Sequence, residues 1–140
     1  MSKLEDFERQ VMTALLAGDD PLLAALREQY AAATVKGREQ SPSGFTTWFS
    51  IPPSAPPVER KLLHLDDLQV EIEGAETPVD AAVEVSGGRL TSLSCSLYEG
   101  QFPENPVITA AWYYGTTRHE GVTPKLMAER DLEDLLEDDE

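Results

Sequence analysis

Two segments contain the histidines, the side chains best suited to acid–base or metal chemistry. In the run LLHLDD, His64 precedes Asp66 and Asp67, which brings an imidazole close to two carboxylates. Such groups can act as a general base with its orienting partner, or can hold a divalent cation. The spacing of His64, Asp66 and Asp67 is not diagnostic of either activity. The chain also contains no helical metal motif such as H-E-x-x-H. We therefore favour a histidine at the entry to a strand over a catalytic or metal site.

His119 lies in a second segment, between Gly115 and Gly121 and directly beside Arg118 and Glu120. Loops carry functional side chains more often than the elements that they connect. The combination of a guanidinium, an imidazole, a carboxylate and threonine hydroxyls makes this the most reactive-looking loop of the chain. A solvated hairpin loop is nevertheless the more common meaning of such a segment.

Cys95 is the one cysteine of the chain, and Ser94 and Ser96 flank it in a predicted strand. A reactive thiol needs an electropositive environment and a base, and only Arg89 is close in sequence. We predict a small buried side chain and no nucleophile. A single cysteine forms no internal disulfide, which is typical of a reducing compartment.

Nucleotide-binding and hydrolase motifs are absent from the sequence. The chain contains no P-loop, no G-x-G-x-x-G, no G-x-S-x-G and no C-x-x-C. We therefore expect no bound cofactor and assign no catalytic residue.

Two aromatic clusters form a candidate binding patch on two predicted strands. Trp48 belongs to the first strand, Trp112, Tyr113 and Tyr114 end the second, and His119 in the loop that follows is the fifth member of the patch. Aromatic side chains can line a ligand pocket or a surface that faces a partner. Large aromatic residues are more often members of the core, so both interpretations stay open at this point.

The elements that position these side chains begin with two helices. Apolar residues recur at helical spacing from Leu4 to Leu15, and Gly18 is a natural helix stop. Asp20 followed by Pro21 is typical of the N-cap and the first position of a second helix. The short connection between the two segments predicts a helical hairpin.

Strand patterns replace the helical ones in the rest of the chain. They occur in segments 34–39, 44–51, 67–74, 80–100 and 106–115. Gly87 and Gly88 in the fourth segment predict a tight hairpin turn, and Thr123-Pro124 predicts the start of a last helix. Helices segregated from strands indicate an α+β fold: an N-terminal helical hairpin on an antiparallel sheet of about five strands, followed by a short acidic C-terminal helix.

The length of 140 residues is typical of one domain. We predict a single α+β domain over residues 1–128 and an acidic tail over residues 129–140, part of a frayed helix. That tail contains eight carboxylates and one arginine. Like-charged helix ends fray because carboxylates oppose the helix dipole there.

The net charge of −15 limits the class of partner. Binding to nucleic acid phosphates or to anionic lipid requires Lys or Arg, so we expect neither nucleic acid nor membrane as a partner. The chain also lacks an apolar run of the ~20 residues that a membrane helix needs, and its N-terminus is unlike a secretory signal. A soluble, cytoplasmic protein is expected.

Four segments resemble a family of small bacterial proteins with no assigned activity. They are residues 14–30 (ALLAGDDPLLAALREQY), 44–56 (GFTTWFSIPPSAP), 65–74 (LDDLQVEIEG) and 87–100 (GGRLTSLSCSLYEG). The family patterns are A-G-D-x-P-x-L-x-x-L-R and G-F-x-T-x-F, followed by a hairpin near G-x-L-x-x-L. The resemblance implies a bacterial, intracellular, single-domain protein and no activity.

Two functions remain as hypotheses. The first is a non-enzymatic protein-interaction module, such as an immunity-like or inhibitor-like binder of a basic partner, which a strongly acidic surface would steer. The alternative is a small-ligand-binding or catalytic domain with a pocket between helices and sheet, for which Trp48, Trp112, Tyr113, His64 and His119 are candidates. Either protein could be a monomer or a homodimer.

Overall fold

Four helices and seven strands make up the computed structural model, which describes residues 3–136. The helices are α1 (Lys3–Leu15), α2 (Pro21–Ala32), α3 (Pro124–Ala128) and α4 (Leu132–Leu135). The strands are β1 (Thr34–Ser41), β2 (Gly44–Ser50), β3 (Leu62–Ile72), β4 (Val79–Ser86), β5 (Arg89–Leu97), β6 (Ile108–Tyr113) and β7 (His119–Glu120). The predicted α+β class is confirmed. Within residues 3–136, no helix is long and apolar enough to span a membrane.

The N-terminal helical hairpin forms as predicted. The Asp20 carboxylate accepts a hydrogen bond of 2.8 Å from the backbone N–H of Leu22, and Pro21 opens α2. Across the turn, Arg27 donates to the carbonyl oxygens of Leu16 (2.6 Å) and Gly18 (3.1 Å). These bonds satisfy carbonyls that the end of α1 leaves without helical partners, so the two helices are joined by side chains as well as by the turn.

The sheet is antiparallel throughout, with the order β1-β2-β5-β4-β3-β6-β7. The prediction of about five strands was too low. The predicted segment 80–100 supplies two strands, β4 and β5, and β7 has no predicted counterpart because its two residues are too few to show an alternating pattern. Strand β1, predicted from segment 34–39, forms with a bulge between Val35 and Gly37.

The hairpin between β4 and β5 has the predicted turn and an irregular second strand. Gly87 and Gly88 have φ values of 63° and 77°, which glycine adopts at little cost. The register shifts where Val85 pairs with Leu90 while Glu84 pairs with Ser92. This bulge explains why the buried leucines of β5, at positions 90, 93 and 97, do not keep one parity along the strand.

One face of the sheet carries the core. Alternate residues of β4 are buried there beneath α1, and α2 packs on the neighbouring β5, whereas the β4 residues between them are only partly buried. α3 and α4 contribute apolar side chains to the same core. The opposite side of the sheet, called the open face below, receives no helix from the described part of the chain. It presents residues such as Thr46, Trp48, Ser94, Ala82 and Glu84, which share register positions on neighbouring strands.

The acidic C-terminal segment differs from the single short helix expected. It forms α3 and α4, two very short helices that break at Arg130. Arg130 is turned into the interior, and the Asp131 carboxylate accepts a hydrogen bond of 3.1 Å from the backbone N–H of Asp134 to cap α4. The last four residues of the predicted tail, 137–140, and residues 1–2 lie outside the described range.

Glycines of the β1–β2 hairpin provide a paired test of this packing. A Cβ at Gly44 would overlap the carbonyl oxygen of Cys95 on β5, whereas a Cβ at Gly37 would have no atom within 4 Å. We expect Gly44→Ala to lower the free energy of unfolding by about 1–3 kcal/mol, as overpacked sites do. Gly37→Ala is the control and should change it little; urea unfolding measures both, and equal effects would contradict the assigned β2–β5 contact.

Candidate functional site

The predicted aromatic patch is divided by the sheet. Trp48 on β2 and Trp112 on β6 both lie on the open face, because they share register positions with Ser92 and Gln69. Four strand spacings separate their strands, about 19 Å across the sheet. Tyr114 is 54% exposed at the end of β6, whereas Tyr113 is 1% exposed in the core.

The two histidines lie on opposite faces of the sheet. His64 is exposed on β3 at the position that pairs with Glu84. His119 pairs with Ala111, which belongs to the core face, and its side chain is 11% exposed. Its Nε2 atom lies 3.1 Å from a carboxylate oxygen of Glu129. The structure therefore does not bring the histidines into one catalytic centre.

Asp80 is the centre of a hydrogen-bond network on the open face. Its Oδ1 atom accepts from Nε2 of Gln69 at 2.6 Å and from the hydroxyl of Tyr114 at 2.9 Å. The other end of the Gln69 amide, Oε1, accepts from the indole Nε1 of Trp112 at 3.0 Å. Three side chains, Gln69 from β3 and Trp112 and Tyr114 from the end of β6, thus hold the Asp80 carboxylate of β4 in a fixed orientation.

The Tyr114 hydroxyl stays protonated over a wide pH range. Burial and then the hydrogen bond and charge of Asp80 raise the pKa of Tyr114 to about 12. The weaker influence of the Tyr98 hydroxyl and the Asp66 carboxylate adds to the same rise. The phenol therefore remains a donor to Asp80 at neutral pH.

Further carboxylates extend this surface towards both edges of the sheet. Glu39 on β1 and Glu84 on β4 lie on the open face, and neither forms an ion pair with another residue in the range 3–136. Near β7, Arg118 donates two hydrogen bonds of 2.9 Å to Glu71 and one of 3.4 Å to Glu120. The hydrogen bond from Arg118 lowers the pKa of Glu71, which keeps this carboxylate ionised.

Asp66 and Asp67, the carboxylates of the first histidine segment, have different environments. Asp66 is exposed at a bulge of β3, whereas Asp67 accepts hydrogen bonds of 2.8 and 2.9 Å from Arg130. The Arg130 side chain is completely buried. Asp67 is therefore the counter-ion of an interior cation, and a cation-binding role would have to displace Arg130.

A groove between the helices and the β1–β2 edge is the cavity closest to the predicted ligand pocket. It has a volume of about 360 Å³, and Tyr30, Val35 and Phe49 form part of its wall. At its base Glu8, 5% exposed, accepts from the Thr47 hydroxyl at 2.6 Å and from Arg38 at 3.1 Å. None of the five aromatic and histidine residues predicted for such a pocket lines this groove.

The remaining sequence candidate, Cys95, is fully buried on β5. Burial, with a smaller contribution from Glu8, raises the pKa of its thiol far above the usual value, and a protonated, buried thiol is a poor nucleophile. The structural role predicted for Cys95 agrees with this position. Among residues 3–136 no group of three or more His, Cys, Asp or Glu side chains is arranged to hold a metal ion.

Sequence reasoning missed Asp80 and Gln69 as members of the site. Alternation placed Gln69 on the polar side of its strand, but its contacts with Asp80 and Trp112 join residues 11 and 43 positions apart. These contacts form because β3 lies between β4 and β6 in the sheet. Local sequence patterns predict strands but not the order in which the strands pair.

Comparison with known proteins adds no assignment to this geometry. No protein-family model matches the chain, and no curated protein or solved structure shows a significant match to it. The site must therefore be interpreted from its own chemistry.

Substitution of two adjacent aspartates compares the contribution to stability of Asp67, which pairs with Arg130, with that of exposed Asp66. Asp67→Asn should lower the free energy of unfolding by about 3–5 kcal/mol, because it leaves the guanidinium of Arg130 buried without its counter-ion. Asp66→Asn, which removes the same charge one residue away, should stay within about 0.5 kcal/mol of the unmodified protein. Urea unfolding at neutral pH measures the two values, and a large loss in Asp66→Asn alone would reverse the assignment.

Proposed function

We propose that this chain is a non-enzymatic protein-interaction module that binds a basic partner protein on the open face. The observation that carries the proposal is a sheet with one face uncovered, on which Asp80 is held in place by Gln69 and Tyr114. Exposed Trp48 and half-buried Trp112 give this face the aromatic character common among residues that contribute most to protein interfaces.

Charge selects the class of partner. The chain carries a net charge of −15, and Glu39, Asp80 and Glu84 add carboxylates to the open face itself. Complementary charge accelerates association and disfavours acidic competitors. A nucleic acid or an anionic membrane would be repelled, so a protein with a basic surface is the partner that fits.

Cysteine content and the sequence resemblance indicate the cellular setting of this function. A single cysteine, Cys95, suits a reducing compartment, so we place the protein in the cytoplasm as a soluble molecule. A bacterial origin rests on the resemblance of four segments to small bacterial proteins. An immunity-like or inhibitor-like role would use the same surface to block a basic protein.

Affinity capture from a lysate of the native host tests the proposal when two charge-matched variants are compared. Glu39→Gln/Glu84→Gln neutralises two carboxylates of the open face, and Asp19→Asn/Glu28→Gln neutralises two exposed carboxylates of the helical hairpin. The unmodified chain and the helix-side variant should retain one dominant basic protein, identified by mass spectrometry. The open-face variant should retain much less of it.

Salt should weaken this binding between ionic strengths of about 0.01 M and 0.15 M, since the screening length falls from about 30 to about 8 Å over that range. A captured protein that both variants lose equally, or one that salt does not release, would contradict binding on the open face by charge.

A second candidate function is the binding of a small polar ligand in the groove beside β1. Its volume of about 360 Å³ lies within the range of ligand pockets, and it combines the apolar wall of Phe49 with the charges of Glu5 and Arg9. Burial and the nearby Glu8 carboxylate raise the pKa of Tyr30, so its hydroxyl is a neutral donor in the same wall.

Thermal unfolding distinguishes this candidate. A metabolite that occupies the groove at about 100 times its Kd should stabilise the unmodified protein by about 2.7 kcal/mol. It should not stabilise Ala31→Trp, in which an indole at the end of α2 would fill the groove. Equal stabilisation of both proteins would place the ligand elsewhere.

A further inference from the structure

We infer that Asp80 anchors an arginine side chain of the partner, whose guanidinium binds the carboxylate and lies against the Tyr114 ring. The inference deepens the proposed function and rests on it for the nature of the occupant, a basic protein. It adds a specific residue of the open face and a specific side chain of the partner.

The Asp80 carboxylate has one oxygen atom that is free to bind a cation of a partner. Both hydrogen bonds to Asp80, from Gln69 and Tyr114, reach the same oxygen atom, Oδ1. The second oxygen, Oδ2, accepts no hydrogen bond from any residue in the described range. Its orientation is nevertheless fixed by the bonds to Oδ1. A preorganised acceptor gains affinity because less conformational freedom is lost on binding.

The aromatic surroundings suit a flat cation. Tyr114 is 54% exposed although its hydroxyl is bound to Asp80, so much of its ring is free to take a contact. Tyr98, 81% exposed, lies close enough to contribute to the raised pKa of Tyr114. A guanidinium over an aromatic face is attracted by the π-electrons of the ring.

Geometry favours arginine over lysine at this place. A guanidinium has N–H donors in one plane and can donate to Oδ2 of Asp80 while it stacks on the ring of Tyr114. The lysine ammonium is more strongly hydrated and directs its three donors away from a plane. With one free carboxylate oxygen and the exposed Tyr114 ring beside it, the site offers more to the planar cation.

A pair of tripeptides tests the inference without a known partner. The probes are acetyl-Gly-Arg-Gly-amide and acetyl-Gly-Lys-Gly-amide, each titrated into the ¹⁵N-labelled full chain and followed by NMR. The arginine peptide should shift the indole N–H of Trp112 and the side-chain amide of Gln69, which belong to the Asp80 network. Its affinity should exceed that of the lysine peptide about fivefold, the size expected for one exposed cation–π contact.

Asp80→Asn is the decisive variant because asparagine keeps an oxygen for Gln69 and Tyr114 but loses the charge. It should weaken the arginine peptide at least about fivefold, as loss of a charge-assisted hydrogen bond does. Glu76→Gln, which removes an exposed carboxylate from the loop before β4, is the matched control and should leave the affinity unchanged. Backbone amide signals of residues outside the Asp80 network, unchanged in the peptide-free Asp80→Asn protein, verify that the variant is folded.

Three results would overturn the anchor: equal affinity for the two peptides, retention of binding by folded Asp80→Asn, or an equal loss in Glu76→Gln. Any of them, together with partner capture that still depends on Glu39 and Glu84, would remove the anchor and keep the proposed function. If the arginine peptide binds at Asp80 but partner capture does not depend on Glu39 and Glu84, the arginine site would stand and the proposed function would be contradicted.

Discussion

A buried guanidinium organises the molecule. Arg130 donates to both carboxylate oxygens of Asp67 on β3, at 2.9 and 2.8 Å, and to the carbonyl oxygens of Ala14 and Ala17 at the end of α1, at 3.1 and 2.7 Å. Its carbon centre lies 4.7 Å from the ring centroid of Tyr113. Burial of a charge is costly unless it is paired and hydrogen-bonded. Because one side chain meets these conditions through three separate elements, those elements are held in a single arrangement.

That arrangement assigns the two faces of the sheet their different roles. With α1 fixed to β3 and the C-terminal segment folded over the helix end, all four helices contribute to the core on one face. Gln29 of α2 adds a second connection, because its buried amide donates to the carbonyls of Pro56 and Gly88 and accepts from the N–H of Leu90. The other face receives no helix from the described residues, and small side chains such as Ser94 and Ala82 share a register position at its centre.

Local patterns were sufficient for the elements whose neighbours are close in sequence. The N-cap at Asp20, the Gly87-Gly88 turn and the alternation of β4 each depend on a few consecutive residues, and each was predicted correctly. The burial of Arg130 could not be predicted in the same way. The residue lies in a run of carboxylates, and charged side chains in such a run are usually exposed to solvent. Its burial depends on Asp67, 63 residues away.

The same limit applies to the candidate site. Sequence reasoning grouped Trp112 and Tyr114 with Tyr113 and His119, although Tyr113 is buried in the core and His119 pairs with a core position. Alternation alone separates Tyr113 from its two neighbours, since successive side chains of a strand point to opposite faces. The position of His119 required knowledge that β7 pairs with β6 through Ala111, a core position.

Net charge and fixed geometry make different contributions to recognition on this surface. The charge of −15 acts on any cation within a screening length of about 8 Å at physiological salt, so it favours encounter without selecting one partner. Selection requires groups whose positions are fixed before binding. In the described structure the position of Asp80 is fixed by hydrogen bonds from Gln69 and Tyr114, and Gln69 is itself held by a hydrogen bond from Trp112. Among residues 3–136 no side chain holds Glu39 or Glu84 in this way, so in the proposed complex these two would steer the encounter and Asp80 would discriminate between partners.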